Sequence, residues 1–371
     1  MSAHMTPLGE LLNFYNGKAP KRVEDGEFVL YGSNGQIGRS KSFNHANAII
    51  LGRVGAYCGS VEICHDKFWA SDNTIVVKAK GDNDLRYIYY RLLSSPLRSY
   101  AGGAAQPLLT QTILRGVKLQ VVKEASVQKQ IASILTAYDD LIENNRRRIQ
   151  LLEQAARLLY KEWFVHLRFS GHEHVKIKDG VPEGWKRKTL GDLCEEVRES
   201  VSPEALEPDT TYIGLEHMPR RSITLNEWGK AEQVTSSKHR FREGEILFGK
   251  IRPYFHKVGI ALVDGIASSD AIVIRPMEDK LREFVLLTVS SDGFVALTSQ
   301  TMKEGSKMPR ADWKQMQQHI VPLPPDGLLS TFNSVIEFIV KQLKSLSFAN
   351  QNLIAARDLL LPRLMNGEVA V

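Results

Sequence analysis

Planar donors and cations set beside glycine and tyrosine occur in two stretches of this chain. The first stretch holds Asn34, Gln36, Arg39, Lys41, Arg53, Tyr57 and Gln106. The second holds Lys238, Arg240, Lys250, Arg252, Tyr254 and Lys257, with Lys303, Lys307 and Arg310 beyond it. From Ser236 to Lys257 six Lys or Arg stand against two Glu, Glu243 and Glu245. Lys, Arg and backbone amides hold phosphates and set the register of a protein on a duplex. Arg, Asn and Gln carry donor and acceptor forks that match base edges in the major groove. Glycine lets the backbone come close to a phosphate. The chemistry these residues suit is recognition of DNA.

Bond-making chemistry is not indicated. There is no Gly-x-x-x-x-Gly-Lys-Ser/Thr loop for a nucleoside triphosphate. Gly32-Ser33-Asn34-Gly35-Gln36-Ile37-Gly38 resembles a phosphate cradle only loosely and reads as a turn between strands. No Asp/Asn-Pro-Pro-Tyr/Phe sequence is present to grip a flipped base, and Leu323-Pro324-Pro325-Asp326 has the wrong ends. Glu278-Asp279-Lys280 has a nuclease-like spacing, but without a nearby partner acid it reads as a surface charge cluster. Cys58, Cys64 and His65 lack paired Cys-x-x-Cys spacing, and His172-Glu173-His174 sits in a polar stretch. The expectation is a chain with no catalytic residues and no metal of its own.

The elements that must carry these residues are written twice. Thr6-Pro7-Leu8-Gly9-Glu10-Leu11 returns as Thr189-Leu190-Gly191-Asp192-Leu193. Ile49-Ile50-Leu51-Gly52-Arg53-Val54 returns as Glu245-Ile246-Leu247-Phe248-Gly249-Lys250-Ile251. Ala70-Ser71-Asp72-Asn73-Thr74-Ile75-Val76-Val77 returns as Ala267-Ser268-Ser269-Asp270-Ala271-Ile272-Val273-Ile274. Each copy is a block of short β-branched strands broken by Gly and Asn, followed by a long apolar stripe at helical spacing. The first stripe has no Gly or Pro from Ser126 to Val165, with Ser126 at the N-cap position. At about 1.5 Å per residue it makes a rod of about 60 Å. Two such stripes in one chain most simply pack on each other as an antiparallel pair.

The expected architecture is therefore α+β: two similar mixed α/β blocks separated by two long helices in an antiparallel coiled coil, with pseudo-two-fold symmetry. The expected boundaries are 1–125 for the first block, 126–168 for the first helix, 169–184 for a linker, 185–325 for the second block, and 326–371 for the second helix and tail. The helix core is expected at Ile134, Tyr138, Leu141, Ile149, Leu152 and Leu159, facing Ile336, Ile339, Leu343, Leu346 and Leu353.

Bulk properties agree with this reading. With 371 residues the chain is long enough for two cores. A net charge of +6 favours a polyanionic partner. Three cysteines without framework spacing suit a reducing cytosol. No apolar run approaches the roughly 18 residues of a membrane span, and the N-terminal residues do not read as a signal peptide. The expectation is a cytoplasmic protein with no membrane partner.

At this point the chain resembles the specificity subunit of type I restriction-modification systems. The resemblance is carried by Arg357-Asp358-Leu359-Leu360-Leu361-Pro362-Arg363-Leu364-Met365-Asn366-Gly367-Glu368, which is similar to that family's C-terminal signature. Gln130-Ile131-Ala132-Ser133-Ile134-Leu135 with Leu141-Ile142-Glu143-Asn144-Asn145 resembles its central helix. Pro182-Glu183-Gly184-Trp185 before Leu190-Gly191-Asp192-Leu193 resembles the opening of a second target-recognition domain. The resemblance implies two target-recognition domains, each reading one half of a split double-stranded DNA site, with the helices setting the gap. It implies two docked modification subunits that methylate adenine with S-adenosylmethionine, and restriction subunits that use ATP and Mg to translocate and cut. The chain itself would bind none of these cofactors. The rival reading is a free-standing two-headed DNA-binding regulator.

Overall fold

The computed structural model of the chain describes residues 3–20, 22–103, 106–300, 309–369 and 371. It divides into two compact units, one of residues 1–143 with 352–371 and one of residues 144–351.

The first unit opens with strand β1 (Ala3–Pro7), the helical turn α1 (Leu8–Leu11) and β2 (Leu12–Asn16). Then come β3 (Phe28–Gly32), β4 (Gly35–Ser40), β5 (His45–Gly52), β6 (Val61–Ala70) and β7 (Thr74–Ala79). Helix α2 (Leu85–Leu93), helix α3 (Gln111–Gly116) and β8 (Lys118–Val122) complete the block. Six strands form one sheet in the order β2-β7-β5-β6-β3-β4, and β1 pairs separately with β8. Period-2 alternation divides the central strands between two cores. Ile49, Leu51, Ile75 and Val77 face a core shared with α2 and the long helices, while Ala48, Ile50 and Val76 join Tyr31 and Phe68 on the other side. Burial on both faces explains why these strands read as unbroken apolar runs.

The second unit repeats the plan. Two short strands, β9 (Ile177–Lys178) and β10 (Val181–Pro182), precede β11 (Lys186–Thr189), β12 (Cys194–Val197), β13 (Ser200–Val201), β14 (Thr211–Ile213), β15 (Thr224–Leu225) and β16 (Gly229–Lys230). They are followed by β17 (Lys238–Phe241), β18 (Ile246–Gly249), β19 (Val258–Ala261), β20 (Gly265–Ala267) and β21 (Ala271–Pro276). Helices α5 (Arg282–Val289), α6 (Asp292–Gln300) and α7 (Trp313–Met316) lead to β22 (Ile320–Leu323). The long helix between the two blocks, Ala125–Tyr160, is α4, and the one after β22, Asp326–Met365, is α8. One sheet runs β12-β21-β18-β19-β15, a second runs β13-β17-β20-β14-β16, and β11 pairs with β22.

The correspondence extends to single hydrogen bonds. In the first unit the Leu8 amide donates to the Val117 carbonyl at 2.8 Å; in the second, the Leu190 amide donates to the His319 carbonyl at 2.8 Å. Gly52 pairs with Thr74 across β5 and β7, as Gly249 pairs with Ala271 across β18 and β21. A Cβ on Gly9 would lie 3.1 Å from the Arg115 carbonyl oxygen, and one on Gly191 would lie 3.2 Å from the Gln317 Cβ. The repeated Leu-Gly therefore marks a close crossing in both copies.

Helix α4 begins at Ala125, one residue before the expected cap at Ser126, and passes into a π-turn at Lys161–Val165. Helix α8 continues through Pro362 to Met365. In each unit the two helices run antiparallel. In the first, Arg357 Nη1 donates to Asp139 Oδ1 at 2.6 Å, and Ile131 and Leu135 share a core with Leu361, Leu364 and Met365. In the second, Asn145 Nδ2 donates to Asn350 Oδ1 at 3.0 Å, and the Trp163 ring lies 5.8 Å from Phe332. Of the expected core positions, Ile149, Ile336, Ile339, Leu343 and Leu346 are buried, and Tyr138, Leu152, Leu159 and Leu353 are half-buried. Ile134 and Leu141 correct the expectation, standing 37% and 50% exposed. At these two sites the buried line runs one residue further on, through Leu135 and Ile142, and it rejoins the expected positions at Ile149. Helix α4 carries apolar residues on two faces, so spacing by threes and fours alone selects the wrong phase at these two sites.

Candidate nucleic-acid interface

Part of each basic stretch comes together in the turn that leaves the central strand of its unit. In the first unit this is Gly52-Arg53-Val54-Gly55-Ala56-Tyr57-Cys58-Gly59 after β5; in the second it is Gly249-Lys250-Ile251-Arg252-Pro253-Tyr254-Phe255-His256 after β18. Their backbone hydrogen bonds match at corresponding residues. The Arg53 amide donates to the Asn73 carbonyl at 3.0 Å, and the Lys250 amide to the Asp270 carbonyl at 2.7 Å. The Arg53 and Lys250 carbonyls accept from Leu109 at 2.9 Å and Ala311 at 2.8 Å. Gly55 reaches the Pro107 carbonyl at 3.2 Å, and Arg252 the Pro309 carbonyl at 2.9 Å.

The turn takes the left-handed region twice. Gly55 and Gly59 have φ of 75° and 89°; at the same steps Arg252 and His256 have φ of 50° and 55°. Glycine adopts this conformation without penalty, whereas a non-glycine residue does so at a cost of about 1–2 kcal/mol. The second unit thus places a cation where the first has only backbone. Both turns present one tyrosine outward, with Tyr57 59% and Tyr254 51% exposed. An exposed ring flanked by cations suits stacking or packing on a nucleotide.

Around the first turn the structure gathers Asn34, Arg53, Tyr57 and Gln106. Ser33, beside exposed Asn34, donates to the Asn73 carbonyl at 2.7 Å, and Ser60 Oγ donates to the Ser33 carbonyl at 2.6 Å. Gln106 directly precedes Pro107, whose carbonyl holds Gly55. The Arg53 Nε is buried with no acceptor among the described residues, a state that costs about 1–3 kcal/mol in general and that an incoming acceptor would relieve. Gln36 lies on the same hairpin and donates to the Tyr31 hydroxyl at 3.5 Å. Arg39 sits four residues along β4 from Gly35, about 13 Å at strand spacing, and donates to the Glu27 carbonyl. Lys41 follows β4 and is exposed.

Around the second turn the structure gathers Lys250, Arg252, Tyr254, Lys257 and Arg310. Lys250 lies 3.7 Å from Glu196 Oε1 and donates to the Ser269 carbonyl at 3.2 Å. Arg310 forms a bridge with Ile251 and an ion pair with Asp270 at 3.4 Å. Lys257 donates to the Leu215 carbonyl, and burial, followed by the nearby Arg220, holds its ammonium below the usual lysine range. Arg240 is exposed on β17. Lys238 does not fit the expected surface role. It is 8% exposed, and its Nζ is held by the Ser236 hydroxyl at 2.7 Å and the Ser236 carbonyl at 3.0 Å. Its burial is something the count of basic residues alone could not reveal. Lys303 and Lys307 lie outside the described residues.

Sequence reasoning missed the partners that complete each turn. Ser33 and Asn73 in the first unit, and Arg198 and Asp270 in the second, arrive from segments that flank neighbouring strands, and Glu196 from β12 itself. Arg198 donates to Glu196 Oε2 at 2.6 Å, so the one carboxylate, on a side chain only 7% exposed, also faces Lys250. The matched segments Ala70–Thr74 and Ala267–Ala271 were the available signal for Asn73 and Asp270. Among the described residues no group of His, Cys, Asp and Glu is placed to hold a metal.

Comparison with known proteins gives a consistent result. The model of the family described as "Type I restriction modification DNA specificity domain" matches residues 4–154 and 182–349. A "Type I restriction enzyme MjaIX specificity subunit" of Methanocaldococcus jannaschii is 22% identical over 303 residues, covering 77% of this chain and 69% of the relative. A "Type I restriction enzyme EcoDI specificity subunit" of Escherichia coli is 23% identical over 357 residues, covering 86% and 77%. In fold, the chain is similar to the crystal structure of a type I restriction-modification system S subunit from M. genitalium, with a TM-score of 0.67, 16% identity, and coverage of 98% of this chain and 96% of that one. The double match to the family model falls on both repeats and most of the chain, and on that ground this protein belongs to the family of type I restriction-modification DNA specificity domains.

Proposed function

We propose that the chain is the DNA-reading specificity subunit of a type I restriction-modification complex. Each unit reads one half of a bipartite site, using residues 52–59 in one case and 249–257 in the other. The observation that carries this reading is the same turn built twice, with an outward tyrosine and a cation directly after the central strand. In functional terms the reading domains are 1–125 and 185–325, the helices 126–168 and 326–371, and the linker 169–184. The helices set the gap between half-sites and dock two modification subunits, which supply S-adenosylmethionine-dependent adenine methylation. Restriction subunits bring ATP- and Mg-dependent translocation and cleavage. The DNA-contacting set is Asn34, Gln36, Arg39, Lys41, Arg53, Tyr57 and Gln106 in the first domain. In the second it is Arg240, Lys250, Arg252, Tyr254, Lys257 and Arg310, with Lys303 and Lys307 in the adjoining segment. Work in the cytoplasm fits the free state of all three cysteines and a set of helices none of which is long and apolar enough to cross a membrane among the described residues.

The test is to map methylated adenines genome-wide in cells that express the modification subunit with and without this chain. A split motif that depends on the chain is the expected result. Tight specific binding by the chain without any methylation in the presence of the modification subunit would instead favour a free-standing regulator.

A further inference from the structure

The second reading turn is fastened to a long helix through a short strap held mainly by one side chain. Glu153 of α4 is 4% exposed. Its Oε1 accepts from the Ser222 hydroxyl at 2.6 Å, the Ile223 amide at 3.0 Å, the Thr224 amide at 3.0 Å and the Thr224 hydroxyl at 2.6 Å. One turn further along α4, Arg157 donates to the Arg221 carbonyl at 2.6 Å and lies 3.8 Å from Glu153 Oε2. The strap 220–224 in turn holds the reading turn. The Arg221 amide donates to the His256 carbonyl at 2.9 Å, the Arg220 guanidinium lies 4.0 Å from the centre of the Phe255 ring, and the Ile260 amide donates to the Ile223 carbonyl at 2.8 Å.

This chain of contacts coincides with the backbone strain of the unit. Arg221, Arg252 and His256 are three of the six non-glycine residues with positive φ among the described residues. Such conformations persist where the surroundings over-determine them. The first unit builds the equivalent steps from Gly55 and Gly59, and there Arg98, from the short segment 97–100, donates to the Ala56 carbonyl. Glycine takes these steps without the strain that Arg252 and His256 carry.

We propose that Glu153 is a positioning residue, through which α4 fixes the conformation of the turn that carries Arg252 and Tyr254 and so sets the specificity of the second half-site. This rests on the reading of residues 249–257 as a DNA contact. It adds that the precision of that contact is supplied from the helix, by a carboxylate that touches no nucleotide.

The test uses the full chain bound to its modification subunit and a duplex carrying the split site found by methylation mapping. Discrimination is measured separately for base changes in each half-site, for the wild type and for Glu153→Gln, Glu153→Ala and Arg157→Ala, with thermal melts alongside. Glu153→Gln keeps an oxygen acceptor and is expected to stay within about threefold of wild type. Glu153→Ala is expected to lose about tenfold of its discrimination at the second half-site and none at the first, with faster hydrogen exchange in 220–224 and 252–257. If Glu153→Ala does not fold, Arg157→Ala carries the comparison, since it removes only the bond to Arg221 and the contact to Glu153, and a smaller loss confined to the same half-site is expected. Equal discrimination at the second half-site in folded variants overturns the proposal, as does equal loss at both half-sites. A wild type that responds to base changes in neither half-site refutes the underlying reading instead.

Discussion

Arg252→Gly should make the protein more stable and a weaker DNA binder at the same time. Arg252 holds φ of 50°, which costs a non-glycine residue about 1–2 kcal/mol. Glycine removes that strain but restores about 0.5–1 kcal/mol of unfolded-state freedom. The net gain is about 0.5–1 kcal/mol, because the amide bond to Pro309 is kept and the cation contact to Phe255, at 5.9 Å, is a weak one to lose. At about 2–4 °C per kcal/mol for a unit of this size, calorimetry should show the transition of the second unit rise by about 1–4 °C. The same change removes a cation from the reading turn. If Arg252 holds a phosphate, the slope of log K against log salt becomes shallower by about 0.9; if it reads a base, specificity relaxes at one position by about 1–3 kcal/mol. Arg252→Ala is the control, losing the charge while keeping the strained φ, and it should weaken binding without any gain in stability. Loss of stability in Arg252→Gly, or affinity, salt slope and specificity all unchanged, would refute the reasoning.

Arg53→Ala should weaken binding through the first half-site and Lys250→Ala through the second, each visible in footprints as loss of protection on one side only; symmetric loss from either variant would contradict the assignment of one turn to one half-site. Burial, ahead of all charge effects, holds the His256 imidazole below its ordinary pKa, so its neutral form is favoured by folding. The unfolded chain then takes up a proton first, and stability should fall as pH drops below about 6.5; His256→Gln should flatten that slope in melts between pH 7.5 and 5.5, and an unchanged slope would count against it. Removing one whole heptad from both α4 and α8 should shorten the gap of the methylated motif, read by the same sequencing map, and an unaltered gap would defeat the helical ruler.

The duplication was legible in the sequence because it survives as matched strings at strand spacing, and Ile49–Val54 and Glu245–Ile251 do form the same strand and turn. The left-handed steps were not legible, since Gly55 and Arg252 share a backbone conformation but no chemistry. Basic residues were legible as a set but not one by one. Lys238 and Lys250 look alike in the sequence, yet one is stapled to Ser236 on β17 and the other lies in the turn after β18, a difference that depends on where each strand ends. Glu196 and Arg198 were invisible because β12 reaches β18 only through β21. In α4 the phase error at Ile134 and Leu141 arose where a helix is apolar on two sides and a stripe has two solutions.

The first unit is assembled from both ends of the chain. Strand β1 pairs with β8, and Leu361, Leu364 and Met365 sit in the core that contains Ile131 and Leu135. The second unit is one continuous stretch, residues 144–351. A ribosome therefore releases everything the second unit needs before it releases the last pieces of the first. N-terminal domains usually mature first, but here the leading 143 residues keep an open apolar seam until residues 352–371 have been made. A released chain truncated just before residue 352 should hold a finished second unit and an unfinished first.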